Sequence, residues 1–413
     1  MRADAAPLSG ITTRLLRPES LGEIADEWDR WSGAALEENA FYTRPYVMAG
    51  LRHLGDASGF HALCIFRQLP DGKQRLIGLL PLRRTRFRYG VPGQVDLAAQ
   101  NVFQTSGTPL IDRDDREASV DALLDAAGRG AGLAPNLLIP NVRRDNAFAR
   151  LLTERAAIRG FDADFIGLIR RPVLTRREED AEAYVARSIA PKRLRELRRT
   201  HRRLAETGAL AFHHVTDPAG MAGATEDFLR IEAAGWKGAA GTALLCQPDT
   251  AAFARAAFSG TSGGAPIASA DILALDGQAI AISLNLQVGR TSFPIKCAYD
   301  EAYRRFSPGL VLEHLVVEHL FSSRFADELD SCVTQDGHVI QDLWSDSVEV
   351  GTVALRPRGA RIGFGPLGMD LAQAEQHRAR LRARVKERYL AARELLVSAR
   401  ALAQPAATAK PAH

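Results

Sequence analysis

Four side chains in the second half of the sequence have the chemistry of proton acceptors: Glu232, Asp300, Asp336 and His338. Glu232 lies in the run Ile231-Glu232-Ala233-Ala234-Gly235-Trp236-Lys237-Gly238. An indole wall there can desolvate the carboxylate and raise its affinity for a proton. His338, just behind Asp336-Gly337, titrates near neutrality without help. Each has a plainer reading: Glu232 can pair with Lys237 on a helix flank, Trp236 can fill core, and His338 can sit in an exposed turn. The identity of a base therefore stays open at this point. Cys332 is a nucleophile by type, but a lone cysteine is more often inert packing.

Two further segments have the makings of a ligand site. From Ala279 to Val288 the residues alternate, with Ile280, Ile282, Leu284, Leu286 and Val288 on one side and Ala279, Ala281, Ser283, Asn285 and Gln287 on the other. This pattern gives a strand with one greasy face and one small, polar face. The polar face suits a cleft and equally suits solvent. Further on, Arg304-Arg305-Phe306-Ser307-Pro308-Gly309 opens into the apolar run Leu310 to Phe321. A helix start offers unpaired backbone N–H groups and the positive end of the dipole. Gly309 allows close approach, Ser307 can cap and the two arginines add charge, which together describe a pyrophosphate cradle. Ser-Pro-Gly is also an ordinary way to start a helix.

The surrounding pattern supplies the elements that must hold these residues. Ser20 to Trp31 reads as a helix with Ser20 and Glu23 as a capping box. Phe60 to Phe66 and Leu76 to Leu82 flank Pro70-Asp71-Gly72 as a hairpin. Glu117 to Gly128 and Asn146 to Arg159 read as helices around a strand from Asn136 to Val142. A similar order returns in helices at Pro191 to Glu206, Pro218 to Ala234 and Thr250 to Phe258. Strands follow at Ile267 to Leu275, Ala279 to Val288 (after the turn Asp276-Gly277) and Phe293 to Tyr299, then a helix from Leu310 to Phe321. The repeated hairpin suggests a weak internal duplication and a mixed α/β fold. The expected domains are 1–170, 171–365, a basic helix within 366–403 (Asp370 to Ala401) and a disordered tail at 404–413.

Composition narrows the class. Of 413 residues, 46% are hydrophobic and 25% charged, as in an ordinary globular chain. No apolar run reaches the roughly 18 residues a membrane helix needs, and Met1 to Leu16 lacks the pattern of a secretory signal. Cytoplasmic localisation is the expectation. The four cysteines form no CxxC pair, so a metal or redox site has no support. The net charge of +4 is too small to imply nucleic acid by itself. It is unevenly spread: Lys192, Arg193, Arg195, Arg198, Arg199, Arg202 and Arg203 crowd one helix docked by Leu194, Leu197 and Leu204. Arg378, Arg380, Arg382, Arg384, Lys386 and Arg388 crowd another, which fits the body, a partner or a membrane surface.

Three blocks together resemble a known family. They are Lys192 to Gly208; Ile231 to Gly238 with Gly241-Thr242-Ala243-Leu244; and Lys296-Cys297-Ala298-Tyr299-Asp300 with Tyr303 and Phe306-Ser307-Pro308-Gly309. The resemblance is to the GNAT-type acetyltransferases associated with bacterial cellulose and exopolysaccharide biosynthesis, and it covers roughly residues 187–335 well. It implies two GNAT-like α/β domains in tandem, similar to the peptidoglycan-bridge aminoacyltransferases. It also implies transfer from acetyl-CoA or another acyl-CoA, without a metal, to an amine or hydroxyl of a small-molecule or saccharide acceptor. Partners among polysaccharide-biosynthesis proteins follow from the same resemblance; peripheral membrane contact is an expectation from the basic C-terminal helix, and nucleic acid is not expected.

On this reading Glu232, Asp300 and His338 are catalytic, and Trp236, Lys237, Tyr299 and Asp336 meet the acceptor. Ser283, Asn285, Arg304, Arg305, Phe306, Ser307, Gly309 and Leu310 meet the cofactor, and a splayed strand at Ser283 to Leu286 supplies an oxyanion donor. The sequence departs from the family's usual Gln/Arg-x-x-Gly-x-Gly/Ala loop, whose role Arg304 to Leu310 would take. Two alternatives remain beside it: an aminoacyl-tRNA-dependent transferase on the same fold, and a GNAT-like scaffold without catalysis.

Overall fold

Alternating burial along Ile11–Leu16 makes a first strand, β1, which pairs antiparallel with β2 (Phe60–Gln68). The computed structural model describes residues 10–358 except 32–34, 56–57, 89–90, 99–100, 129–131, 135 and 335–338, and beyond them residues 380, 381, 384, 385 and 388. Between the first two strands, the expected helix from Ser20 divides into a 3-10 segment, Pro18–Ile24, and α1 (Ala25–Trp31). Pro18 starts the helical stretch two residues early, and Arg17, not Ser20, occupies the cap position. Leu21, Ile24 and Trp28 are buried as their spacing requires. α2 (Arg44–His53) follows.

The turn at Asp71-Gly72, with Gly72 at φ 81°, leads into β3 (Gln74–Arg88). β4 (Val91–Ala98), β5 (Leu110–Ile111), α3 (Arg116–Gly128), β6 (Asn136–Arg143) and α4 (Ala147–Arg159) complete the first half. Asn146 caps α4 through Ala149 N–H, and Gly160 ends it in the left-handed region at φ 74°. The long β7 (Phe161–Thr175) follows.

The second half begins with α5 (Ala181–Ser188), the basic α6 (Pro191–Ala205), β8 (Leu210–Val215) and α7 (Pro218–Ala234). The short α8 (Trp236–Ala239), α9 (Pro248–Ala257) and a ribbon of β9 (Thr261–Ser262) with β10 (Ala265–Pro266) come next. β11 (Ala268–Leu275) and β12 (Gln278–Val288) form a hairpin across Asp276-Gly277, both with positive φ. β13 (Thr291–Tyr299), α10 (Pro308–Ser323), β14 (Glu328–Asp330) and β15 (Asp346–Pro357) end the body.

The strands join in one mixed sheet of order β1-β2-β3-β4-β6-β15-β7-β14-β13-β12-β11-β8, with β5 on β3. β15 lies between β6 and β7 and pairs antiparallel with both. In the second half, one face packs on α2, α7 and α9 through residues such as Phe41, Phe228 and Phe253. The opposite face packs on α5, α6 and α10 through Tyr184, Leu197 and Val311. The expected alternation along β12 holds for Ile282, Leu284 and Leu286, which share the first of these cores. It fails at Ile280, which lies in the second, because the β11–β12 ladder shifts register beside Leu273 and turns Ile280 over.

Residues Phe87–Gly93 and Arg361–His413 form a separate unit. Its described members Arg380, Leu381, Arg384, Val385 and Arg388 are helical and exposed. The rest of the expected helix at Asp370 to Ala401, and the tail, lie outside the described residues. No helix among the described residues is long and apolar enough to cross a membrane.

Because β15 has strands on both sides, ending the chain at Ser345 strips β6 and β7 of a shared partner and opens two edges. The truncated protein is expected to lose its cooperative thermal transition and to aggregate, as circular dichroism and size-exclusion chromatography will read.

Candidate active site

The site is built by a strand that loses its neighbour. β13 and β14 run parallel and pair only at Thr291–Glu328 and Ser292–Leu329. Beyond Ser292, β13 has no strand on that side among the described residues, and its edge up to Tyr299 is open. On its other side β13 pairs with β12, with a register shift beside Leu284 that leaves Ile295 without an opposite residue.

Along one stretch of this strand lies a shallow hollow lined by Glu232, Trp236, Lys237, Cys297, Tyr299 and Glu301. Glu232 is buried, and both its oxygens are engaged: Lys237 Nζ donates to one at 2.9 Å and Leu244 N–H to the other at 2.8 Å. Glu232 thus holds the α7–α9 connection in place. Trp236 does not fill core; it is 58% exposed at the rim, and its backbone N–H donates to Glu301 at 2.7 Å. Lys296, on β13, has its ammonium 4.7 Å from the Phe103 ring centre. Burial pulls its pKa down and Lys237 adds to this, against the pull of Glu232. Cys297 faces the hollow, yet the surrounding protein pushes its thiol up to about 12, so it remains protonated at neutral pH.

The start of α10 adjoins this hollow. A methyl placed on Gly309 would lie 3.7 Å from Tyr299 and 4.0 Å from Cys297 Sγ. Ser307 makes no capping bond; it adopts the left-handed conformation at φ 46°, unusual for a residue with a Cβ. Pro308 has no N–H, and Leu310 and Val311 N–H both donate to Ser307 O at 2.9 and 3.1 Å, which leaves Gly309 N–H as the first-turn donor outside these bonds. Phe306 is buried, with the Arg305 guanidinium 4.6 Å and the Arg203 guanidinium 5.9 Å from its ring centre. The basic α6 therefore ends against the turn that carries Arg304 and Arg305. Asp300 caps that turn by accepting from Ala302 N–H at 2.9 Å.

Ser283 and Asn285 lie elsewhere. They sit beneath α10 around a small cavity of about 10 Å³ lined also by Asp271, Ser292, Glu313 and Trp344. Ser283 Oγ donates to Asn285 Oδ1 (2.8 Å), Asn285 Nδ2 donates to Asp271 (2.7 Å), and His214 Nδ1 closes the chain on Asp271 (2.7 Å). The polar face of β12 is thus a buried network, neither an open cleft nor solvent. Asp336 and His338 lie outside the described residues.

Sequence reasoning missed Glu313. On α10, its carboxylate accepts from Trp344 Nε1 at 2.9 Å, and burial, reinforced by Asp271, pushes its pKa up to about 7. The polar stripe Glu313, His314, Glu318 and His319 was the available signal, but nothing in it separates Glu313, turned to Asp271 and Trp344, from His319, which packs on Phe212 and His214 of β8.

Residues 191–336 match the model of the acetyltransferase (GNAT) domain. No curated protein matches the chain. Among solved structures, FemX is 13% identical, overlaps 79% of this chain and 94% of its own, and has a TM-score of 0.51. The C-terminal domain (DUF2156) of a putative lysylphosphatidylglycerol synthetase from Agrobacterium fabrum is 14% identical over 82% of this chain and 92% of its own, at 0.48. A tandem GNAT protein from the clavulanic acid biosynthesis pathway is 14% identical over 83% and 98%, at 0.39. The fold is mixed α/β of the GNAT kind, as the sequence led one to expect, and the chain carries a GNAT-type acyltransferase domain.

Two outcomes follow. Lys237→Met leaves a buried carboxylate without its cation and is expected to cost about 3–5 kcal/mol, read by urea denaturation. Glu313 binds a proton more tightly folded than unfolded, so it favours the folded state at low pH and that contribution is lost as pH rises from about 4.5 through about 7. Glu313→Gln should therefore raise the melting temperature at pH 8 relative to wild type and change it least near pH 5, by scanning calorimetry at both values.

Proposed function

We propose that this chain is an acyl-CoA-dependent acyltransferase, in the simplest case an acetyltransferase. It works in the cytoplasm on an amine or hydroxyl of a cell-surface polysaccharide precursor or related metabolite, alongside other proteins of that synthesis. The observation that carries the reading is the start of α10: left-handed Ser307, Gly309 and the cations Arg304, Arg305 and Arg203 gathered where the open edge of β13 ends. These residues fit the phosphates of a CoA ester: the Gly309 N–H at the helix start and the guanidiniums are donors of the kind such groups take.

The co-substrate supplies the activated acyl carbonyl. The backbone groups of β13 past Ser292 are free to line an extended thioester arm, as a strand would. The ladder shift at Ile295 releases a backbone group from β12 for the developing oxyanion. Trp236, Lys237 and Tyr299 border the acceptor's approach. Glu313, one helical turn along α10 from Gly309 and with a pKa near 7, is the proton acceptor preferred over Glu232, both of whose oxygens are committed, and over Asp300, one of whose oxygens caps the turn.

A second reading rests on α6, whose Lys192, Arg195, Arg198, Arg199, Arg202 and Arg203 are exposed. An aminoacyl-tRNA-dependent transferase would use that face for RNA, with affinity falling steeply in salt.

Calorimetric titration with acetyl-CoA and longer acyl-CoAs tests the first reading. Binding is expected for the wild type and at least a tenfold loss in Arg304→Ala/Arg305→Ala. Silence toward every CoA ester removes the reading. Where turnover is measurable, kcat should rise with pH through about 7, and Glu313→Gln should abolish that limb.

A further inference from the structure

A roomy hollow lies apart from the start of α10, where β6, β7, β13 and β14 meet the first half. It measures about 250 Å³. Its floor owes its shape to bulges: β15 shifts register against β6 beside Gly351, and Asn141 there adopts the left-handed conformation at φ 56°. Such bulges re-aim side chains, and Asn141 lines the hollow.

The charges of this wall are unequally satisfied. Glu37 accepts from Ala147 and Phe148 N–H at the start of α4, and Glu38 accepts from Arg290 N–H. Glu328 pairs with Arg143. Asp330 accepts from Cys332 N–H at 2.8 Å and stands 3.4 Å from Arg171 Nη1, too far for a strong charged bond. Arg171 itself is 1% exposed, donates from Nε to Val333 O at 2.9 Å, and has no acceptor for Nη2. A buried guanidinium N–H without a partner is costly and rare in native proteins. Here it belongs to a residue lining an open hollow whose carboxylates are already taken.

We propose that this hollow is a binding site for a polyhydroxylated anion, a sugar acid or sugar phosphate, whose carboxylate or phosphate accepts from Arg171. Ser106, Thr108 and Asn141 offer partners for hydroxyls, and Phe293 offers a flat apolar surface for the ring. Thr291 and Phe293 belong to the same strand whose free edge runs to the start of α10, so the bound molecule lies along the strand from the proposed CoA ester. Calling it the acceptor rests on the acyltransferase reading; the anion site does not.

The test is thermal-shift titration of the full chain with glucuronate, glucose 1-phosphate and glucose at constant ionic strength. It uses the wild type, Arg171→Gln and Thr291→Trp, the last filling the hollow from the strand surface without touching Arg171. At least one anion is expected to raise the wild-type melting temperature while glucose does not, and the better anion identifies carboxylate or phosphate. Both variants should bind it at least tenfold more weakly. If Arg171→Gln does not fold, Thr291→Trp carries the comparison alone. The proposal is overturned if no anion shifts the wild type, if glucose shifts it equally, or if the folded variants respond as the wild type does. Acetyl-CoA titration of Thr291→Trp, run in parallel, separates failure of this site from failure of the CoA reading.

Discussion

The parting of β13 from β14 after a two-residue contact is the constraint on which the rest depends. A sheet satisfies its backbone by pairing, and an interior strand that loses a neighbour leaves a row of donors and acceptors unpaired. That row needs a partner of extended shape, and the gap beside it needs walls. α10 covers it on one face, α7 and α9 on the other, and the strands β6, β7 and β15 beyond β14 complete the enclosure. All three hollows described above border β13.

Electrostatics divides these hollows by kind. Around Glu232 the charges are matched and both carboxylate oxygens are used, which suits a fixed loop. Beneath α10, Asp271 and Glu313 share a poorly solvated space, which pushes the Glu313 pKa up to about 7. Beside Arg171 four carboxylates and three guanidiniums line the hollow, and the shortfall is one of geometry: the carboxylates are taken and a buried cation is left short of an acceptor. Matched charge, a crowded pair of carboxylates and an unfilled donor thus lie along a single strand.

Much of the frame was legible in the sequence. Asp71-Gly72 and Asp276-Gly277 marked both hairpins because few residues tolerate the backbone those turns need, and α7, α9 and α10 followed from their spacing and start signals. β7 and β15 were not read: in β15 the alternation of Val348 and Val350 with Ser347 and Glu349 is short and breaks at Gly351, where both ladders shift register. Ser283 and Asn285 were legible as polar but not as buried: alternation says which residues share a face, and only packing says what covers it. Glu313 was hidden for the same reason, one carboxylate among several polar positions on an apolar helix. Trp236 and Lys237 were read as neighbours of Glu232, and the structure puts all three in one hollow.

The position of β15 also bears on how the chain comes to be folded. Its pairing of Val350 with Arg143 spans about 200 residues, and β6 and β7, though adjacent in sequence, cannot be bridged until that strand arrives. During synthesis the first half therefore waits with two unsatisfied edges while the entire second half is made. Long-range pairing of this kind is slow, and open edges invite association with other chains. The last strand of the body thus acts as a clasp, and a ribosome-bound chain short of it is the form that most needs a chaperone.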